Sequence, residues 1–160
     1  MEKAVFAAGC FWGVESAFAE LEGVSKTEVG YIGGWTETPN YVGVCTGDTG
    51  HAEAVRVEFD PEKIPYEKLL ETFWEIHDPT TLNRQGPDIG TQYRSAIFCY
   101  TPAQQAAALD AKEELVKSRK FKTPVVTQII DATDFPFFPA EEYHQKYFLK
   151  QGIKHCPIKK

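Results

Sequence analysis

The chain of 160 residues predicts a mixed α/β (α+β) fold of the ferredoxin-like, split βαβ kind, in which two helices cover one face of a mostly antiparallel sheet. Two observations predict this two-layer sandwich: some segments alternate between apolar and polar residues, and others repeat apolar residues at helical spacing. These segments follow one another in the order β-α-β-β-α-β, at residues 5–8, 11–21, 24–33, 52–59, 65–77 and 95–100.

The first strand is the apolar run at residues 5–8, and a helical pattern begins directly after Cys10. Apolar residues then recur at i, i+3, i+7 and i+10, namely Phe11, Val14, Phe18 and Leu21. The opposite, polar side of this predicted helix carries the carboxylates Glu15, Glu20 and Glu22.

Alternation predicts the second and third strands, which end at Gly33-Gly34 and at Asp60-Pro61. Pro65 opens the second helix and Asp78-Pro79 ends it. Its apolar face consists of Tyr66, Leu69, Leu70, Phe73 and Trp74.

An added helix, an added strand and an irregular C-terminal tail extend this core. Thr101-Pro102, followed by Gln104, is a capping signal for a third helix reaching about Ser118, and residues 125–130 predict a further strand. After that strand we expect mostly irregular structure, with a short helical stretch at 140–147. We take residues 1–160 as a single catalytic domain with a core at about 3–150 and a flexible tail at about 150–160.

The composition argues against several classes of partner. Lys plus Arg number 17 and Asp plus Glu 23, so the formal net charge is −6 and nucleic acid is not an expected partner. The sequence contains neither a signal-peptide pattern nor an apolar run of ~20 residues, which predicts a cytoplasmic protein without a membrane partner. Four cysteines without a C-x-x-C pair give no support for a metal site. We take the chain to be a monomer.

Cys10 is the first candidate for catalysis, because its position at a helix start exposes the sulfur to backbone N–H groups that favour a thiolate. The alternative is a buried structural cysteine, since free cysteine is among the most buried residue types. The small residues Gly9 and Gly13 favour the first interpretation, because they allow close approach to the backbone.

Glu53 is the second candidate, because period-two alternation puts it on the same strand face as Val55, Val57 and Phe59. Burial there would raise its pKa and make it a proton donor at neutral pH. The alternative is a carboxylate at a strand end that turns back to water.

Two connections, at residues 34–51 and 78–94, are long for a compact domain, and such loops are usually functional. The polar and aromatic residues of the first include Trp35, Tyr41, Cys45 and His51. Those of the second include Asn83, Asp88, Gln92 and Tyr93.

Four motifs of this chain occur together: Gly9-Cys10-Phe11-Trp12-Gly13-Val14-Glu15, Gly47-Asp48-Thr49-Gly50-His51-Ala52-Glu53, Asp88-Ile89-Gly90-Thr91-Gln92-Tyr93-Arg94-Ser95 and Glu142-Tyr143-His144-Gln145. In this order they resemble the A-type peptide methionine sulfoxide reductases, from about residue 3 to residue 150. One departure is Ile89, where that family often has histidine.

The resemblance implies an oxidoreductase that reduces methionine S-sulfoxide, free or in proteins, with thiols and without a bound cofactor. It implies Cys10 as the nucleophile and Glu53 as the acid. It also implies a substrate site in which Phe11 and Trp12 hold the S-methyl group, while the oxygen is bound by Tyr41, Tyr93 and Asp88.

This chemistry leaves Cys10 as a sulfenic acid, which a second thiol converts into a disulfide that thioredoxin or dithiothreitol can reduce. Cys99 alternates with Ile97 within a strand and is expected in the core, whereas Cys45 lies in the first long loop and could reach the site. Cys156, in the Gly- and Pro-containing tail, resembles the resolving cysteine of many family members.

Two other classes of function remain open at this stage. A cysteine hydrolase or amidase would pair Cys10 with a histidine base, for which His51 is a better candidate than His144. A noncatalytic peptide-binding domain would use the aromatic residues Trp12, Trp35 and Tyr41, and Cys10→Ser would then affect only stability. Turnover that consumes dithiothreitol distinguishes the reductase from the hydrolase.

Overall fold

The computed structural model describes residues 1–37 and 39–150 of the chain. In these residues the strands are β1 (Glu2–Ala8), β2 (Val24–Ile32), β3 (Ala52–Phe59), β4 (Arg84–Gln85), β5 (Asp88–Ile89), β6 (Ser95–Cys99), β7 (Gln128–Asp131) and β8 (Phe138–Pro139). The α-helices in the same residues are α1 (Phe11–Ala19), α2 (Tyr41–Cys45), α3 (Tyr66–Glu75), α4 (Pro102–Lys117) and α5 (Tyr147–Lys150). Turns of 3₁₀ helix cover Thr91–Tyr93, Ala132–Asp134 and Glu142–His144.

Six of the strands form one sheet in the order β7-β6-β1-β3-β2-β8. The central strand β1 is antiparallel to both β3 and β6, and β3 is also antiparallel to β2. At the edges, β7 joins β6 in parallel and β8 pairs with β2 antiparallel. The predicted mixed α/β fold is therefore confirmed. The predicted order β-α-β-β-α-β is that of β1, α1, β2, β3, α3 and β6, and the unpredicted helix α2 and the strands β4 and β5 lie in the two long connections between them.

The sheet is apolar on both faces. Side chains of β1 and β3 that include Phe6 and Val57 share one core cluster with residues of α1, α3 and α4, so these helices lie on one face. The opposite face carries a smaller cluster that includes Val5 and Phe98, covered by residues of the segment 130–137. Because β1 is buried on both sides, it appears in the sequence as a continuous apolar run rather than an alternating one.

Most predicted boundaries agree with the observed ones, and β3 spans the predicted residues. The strand predicted at 125–130 is displaced to Gln128–Asp131. Its expected first part bonds elsewhere, because the N–H of Val126 donates to the carbonyl of Pro79 at 2.8 Å instead of joining the sheet.

Glu15 was expected on the polar side of α1, and this prediction is wrong. The residue is 2% exposed and accepts hydrogen bonds from the Thr27 hydroxyl at 2.8 Å and from the N–H of Lys146 at 2.6 Å. The Lys146 ammonium also lies 3.7 Å from its carboxylate. Glu15 is buried because the C-terminal segment of the described chain passes over this side of the helix.

The stretch predicted as helical at 140–147 consists of the 3₁₀ turn Glu142–His144 and the start of α5. The tail after residue 150, including Cys156, lies outside the described residues. Within the described part of the chain, no helix combines the length and the apolar character needed to cross a bilayer.

Candidate active site

Strand pairing brings the predicted site residues to the same end of the sheet, where several strands begin or end. The last residue of β1, Ala8, pairs with Ser95 at the start of β6, and Tyr31 near the end of β2 pairs with Glu53 near the start of β3. The turn that carries Cys10 therefore leaves the sheet at the end where both long connections also leave or enter it.

Cys10 directly precedes α1 and caps its first turn, because its carbonyl accepts the N–H of Val14 at 3.4 Å. The residue is half-buried and is not part of a disulfide among the described cysteines. The predicted position of a cysteine at a helix start is observed.

The turn before Cys10 requires glycine. Gly9 has a φ of +102°, and a Cβ atom there would lie 2.8 Å from the side chain of Gln85. Gln85 is itself held by Asp78, since its amide accepts the N–H and donates to the carbonyl of that residue, both at 2.9 Å. Gln85 of the second long connection thus packs against the turn that carries Cys10, a contact that the sequence did not predict.

Glu53 is 1% exposed, so the interpretation of a solvated carboxylate is wrong and the buried one is observed. Its Oε1 accepts the N–H of Phe11 at 3.2 Å, which brings the carboxyl group to the residue next to Cys10. Its Oε2 is buried and has no hydrogen-bond partner among the described residues.

The environment of Glu53 keeps its carboxyl group protonated at neutral pH. Burial raises its pKa to about 8, and the charge of Asp88 acts in the same direction, while the N–H of Phe11 opposes the shift. A buried, neutral acid with an oxygen that has no partner can donate a proton to a group that comes within hydrogen-bond distance.

Tyr41 and Tyr93 lie around the same carboxyl group. Burial raises the pKa of both hydroxyls, and a charge on Glu53 raises them further. Tyr93 also interacts electrostatically with Cys10 and Asp88, and the Tyr41 hydroxyl donates to the Cys45 sulfur. Both tyrosines are therefore protonated donors at neutral pH, and the structure brings them together with Glu53.

Asp88 is half-buried, and burial raises the pKa of its carboxyl group. It follows the turn of the β4–β5 hairpin, and its charge raises the pKa of Glu53. The next residue, Ile89, is exposed.

Phe11 and Trp12 differ in accessibility. Phe11 is fully buried, and its ring lies 5.2 Å from His144 and 5.7 Å from Tyr31, measured between centroids. Trp12 is half-buried and stacks on Tyr147 at 4.0 Å. Of the two predicted methyl-binding residues, Trp12 is the one with an accessible surface.

Glu141, His144 and Tyr147 belong to the site, although a role was considered only for His144, as the less favoured base of a hydrolase. The Nδ1 atom of His144 accepts the indole N–H of Trp12 at 2.9 Å. Glu141 accepts the Tyr31 hydroxyl at 2.8 Å and the N–H of Tyr41 at 3.0 Å. The motif around His144 was a signal that these residues matter, but it did not indicate their contacts.

The described cysteines other than Cys10 have different environments. Cys99 is buried in the core as predicted, and burial raises its pKa to about 11. Cys45, at the end of α2, is exposed as a residue, but partial desolvation of its sulfur raises its pKa and outweighs the hydrogen bond from Tyr41.

His51 is occupied by structural hydrogen bonds. Its Nδ1 accepts the N–H of Gly34 at 3.1 Å and its Nε2 lies 2.8 Å from the carbonyl of Thr36, so the ring carries its proton on Nε2 and ties the loop together. It is not available as the base of a cysteine hydrolase. Among the described residues, no group of three or more histidine, cysteine and acidic side chains could hold a metal ion.

The mixed α/β fold and the cysteine beside a protonated carboxyl group are features of a cysteine-dependent enzyme. Comparison with known proteins is more specific: the family model described as peptide methionine sulfoxide reductase matches residues 2–160. Peptide methionine sulfoxide reductase MsrA of Methanosarcina acetivorans is 60% identical over 153 residues, which are 96% of this chain and 80% of that relative.

Solved structures agree with this comparison. The reduced form of Mxr1 from Saccharomyces cerevisiae has a TM-score of 0.89 and 36% identity, over 99% of this chain and 91% of that chain. Mxr1 in complex with Trx2 has a TM-score of 0.62 and 24% identity, over 99% of this chain and 88% of that chain. The chain belongs to the peptide methionine sulfoxide reductase family, and to its A type. It is an oxidoreductase that reduces methionine sulfoxide at the expense of thiols.

Proposed function

We propose that the chain reduces the S epimer of methionine sulfoxide, free or in proteins, with Cys10 as nucleophile and Glu53 as acid. The observation that carries this assignment is the hydrogen bond from the N–H of Phe11 to Glu53 Oε1, at 3.2 Å. It joins the helix start at Cys10 to a buried carboxyl group whose second oxygen has no partner among the described residues.

In the proposed first step, the Cys10 thiolate forms a bond to the sulfoxide sulfur and negative charge develops on the sulfoxide oxygen. Glu53 gives its proton to that oxygen, which removes the cost of the developing charge. The hydroxyl group then moves to the Cys10 sulfur, the bond between that sulfur and the substrate sulfur breaks, and methionine leaves. The sulfoxide is reduced by two electrons to methionine, and Cys10 is oxidised by two, to a sulfenic acid.

The proposed substrate site has a polar side and an apolar side. The Tyr93 hydroxyl donates to the sulfoxide oxygen, and the Tyr41 hydroxyl turns from the Cys45 sulfur to the same oxygen when the substrate binds. Asp88 completes this side by raising the pKa of Glu53. The S-methyl group packs on Trp12, which itself packs against the core cluster that contains Phe11. A sulfoxide needs both sides, since its S=O group is polar and its methyl group is not.

We further propose that Cys156 condenses with the sulfenic acid, releases water and forms a disulfide with Cys10. The resemblance of Cys156, in its Gly- and Pro-containing tail, to the resolving cysteine of many family members supports this choice. A dithiol of the thioredoxin type would then reduce the disulfide, as the structure of Mxr1 with Trx2 suggests by similarity. The wider proposal is a single-domain, monomeric repair enzyme of oxidative stress in the cytoplasm, where reducing conditions return Cys10 to its thiol form.

Turnover of separated sulfoxide epimers tests the proposed function. With a peptide containing methionine sulfoxide and dithiothreitol, we expect the S epimer to be consumed and the R epimer to remain, because one pocket can match only one arrangement of oxygen and methyl. Each methionine formed should consume one dithiothreitol. Peptide cleavage without oxidation of dithiothreitol would instead indicate the hydrolase.

Replacing Cys156 by serine should separate the two halves of the reaction. One methionine per enzyme should still be released in a single turnover, since attack by Cys10 precedes any need for a second thiol. Multiple turnover with thioredoxin should collapse, whereas dithiothreitol should partly rescue it by reaching the sulfenic acid directly.

Mass spectrometry of the wild type after treatment with sulfoxide, without reductant, identifies the partner of Cys10. We expect a disulfide between Cys10 and Cys156. A disulfide between Cys10 and Cys45 would contradict the assignment of the resolving thiol while leaving the reductase step intact.

A further inference from the structure

Glu141 connects the rigid sheet to the short helix that carries Tyr41. One carboxylate oxygen accepts the hydroxyl of Tyr31, at 2.8 Å, and the other accepts the backbone N–H of Tyr41, at 3.0 Å. Tyr31 is fully buried in β2, directly opposite Glu53 in the register of the sheet. The carboxylate of Glu141 therefore links Tyr31, which lies beside the proposed acid Glu53, to Tyr41, the first residue of α2.

The helix α2 depends on such contacts for its position. It has five residues in a long connection, too few for a helix to be stable alone. Asn40 accepts the N–H of Gly43 at 2.8 Å, and Val44 is buried, but the N–H of Tyr41 is satisfied by Glu141. Without this carboxylate a half-buried backbone donor would lose its acceptor, which favours displacement of the helix start.

The charge of Glu141 suits this role. Burial opposes ionisation, but the N–H of Tyr41 and the Tyr31 hydroxyl hold the pKa of Glu141 below its ordinary value. The carboxylate is thus an acceptor for both partners at neutral pH. The neighbouring Glu142 differs, because its side chain is 89% exposed and its ion pair is with Lys150.

We propose that Glu141 is a positioning residue that sets the distance between the Tyr41 hydroxyl and Glu53, and thereby the fit of the sulfoxide oxygen. This inference rests on the proposed function, because it takes Tyr41 as a ligand of that oxygen. Glu141 itself acts through Tyr41 and does not touch the substrate.

The test is a double-mutant cycle in which kcat/KM is measured with a methionine sulfoxide peptide. The rates are divided by the concentration of active sites, which is counted from the methionine released in a single turnover. Glu141→Met keeps the length of the side chain but removes both acceptors, and Tyr41→Phe removes the hydroxyl. Each is expected to lower kcat/KM about tenfold, mainly through KM, because each costs one hydrogen bond to the substrate oxygen. The double variant should lose little more than Tyr41→Phe alone.

Two further variants separate positioning from stability. Glu141→Gln retains an acceptor for the N–H of Tyr41, so it should recover most of the activity that Glu141→Met loses. The control Glu142→Met changes an exposed glutamate one residue away and should behave as the wild type.

The outcomes distinguish the proposed role of Tyr41 from that of Glu141. If Tyr41→Phe has no effect, the proposed role of Tyr41 fails. If Tyr41→Phe lowers kcat/KM but the two losses multiply to about 100-fold in the double variant, the positioning role of Glu141 is wrong. The same conclusion follows if Glu141→Met lowers thermal stability and leaves kcat/KM unchanged. Should Glu141→Met not fold, failure of Glu141→Gln to retain activity when folded would equally contradict the inference.

Discussion

Replacing Cys10 by serine is expected to abolish methionine sulfoxide reduction while leaving the fold intact. The serine hydroxyl is a far weaker nucleophile at neutral pH and cannot form a sulfenic acid, and loss of a covalent nucleophile normally costs orders of magnitude in rate. The fold should survive because Cys10 is half-buried at a helix start, where serine is also a good capping residue. The measurement is methionine released from a sulfoxide peptide in a single turnover.

A matched control is Cys99→Ala, which removes a buried thiol far from the proposed chemistry. It should lower thermal stability slightly while the activity per folded molecule stays at the wild-type level. If Cys10→Ser retained more than about a tenth of the wild-type activity, another residue would have to be the nucleophile.

Replacing Glu53 by glutamine should slow the reductase step by roughly 10²-fold or more at neutral pH. Glutamine keeps the size of the side chain and an acceptor for the N–H of Phe11, but it cannot give up a proton. The loss should be smallest at low pH, where protons from the solvent can substitute for the carboxyl group. Single-turnover release of methionine measures this step without the recycling of the disulfide.

The pH dependence gives an independent signature of Glu53. With a pKa of about 8, the carboxyl group holds its proton below pH 8 and loses it above. In the wild type, kcat/KM should therefore fall as the pH rises through about 8. This decrease should be absent in Glu53→Gln, because an amide does not titrate in that range.

Glu58→Gln is the control for the acid. It makes the same chemical change on the same strand, but on the opposite face and at a half-buried position. We expect its activity and its pH profile to match those of the wild type. An unchanged single-turnover rate in Glu53→Gln at neutral pH would reduce Glu53 to a residue that only positions the substrate.

Local patterns were sufficient for the two central residues. Helical spacing after Cys10 predicted the start of α1, which begins at Phe11, and strand alternation predicted that Glu53 faces the core. Both are properties of neighbouring residues in the chain, so the backbone geometry of one element determines them.

Local patterns failed where a distant segment covers an element. Glu15 fits the polar side of an isolated helix, but Thr27 and Lys146 surround its carboxylate in the folded chain. The strand predicted from residue 125 begins at Gln128, because Val126 bonds to Pro79. In each case a tertiary contact outweighed a local preference.

The sequence by itself determined the class of fold, the order of the elements β1, α1, β2, β3, α3 and β6, and the candidates Cys10 and Glu53, because periodicity and chain order are local. Only the tertiary structure decided that Glu53 bonds the residue after Cys10, that Trp12 bonds His144 and that Glu141 joins Tyr31 to Tyr41. These contacts join residues that lie 42 to 132 positions apart in the chain. Their contacts depend on sheet register and on the path of the segment after β8, and neither is encoded in the spacing of neighbouring residues.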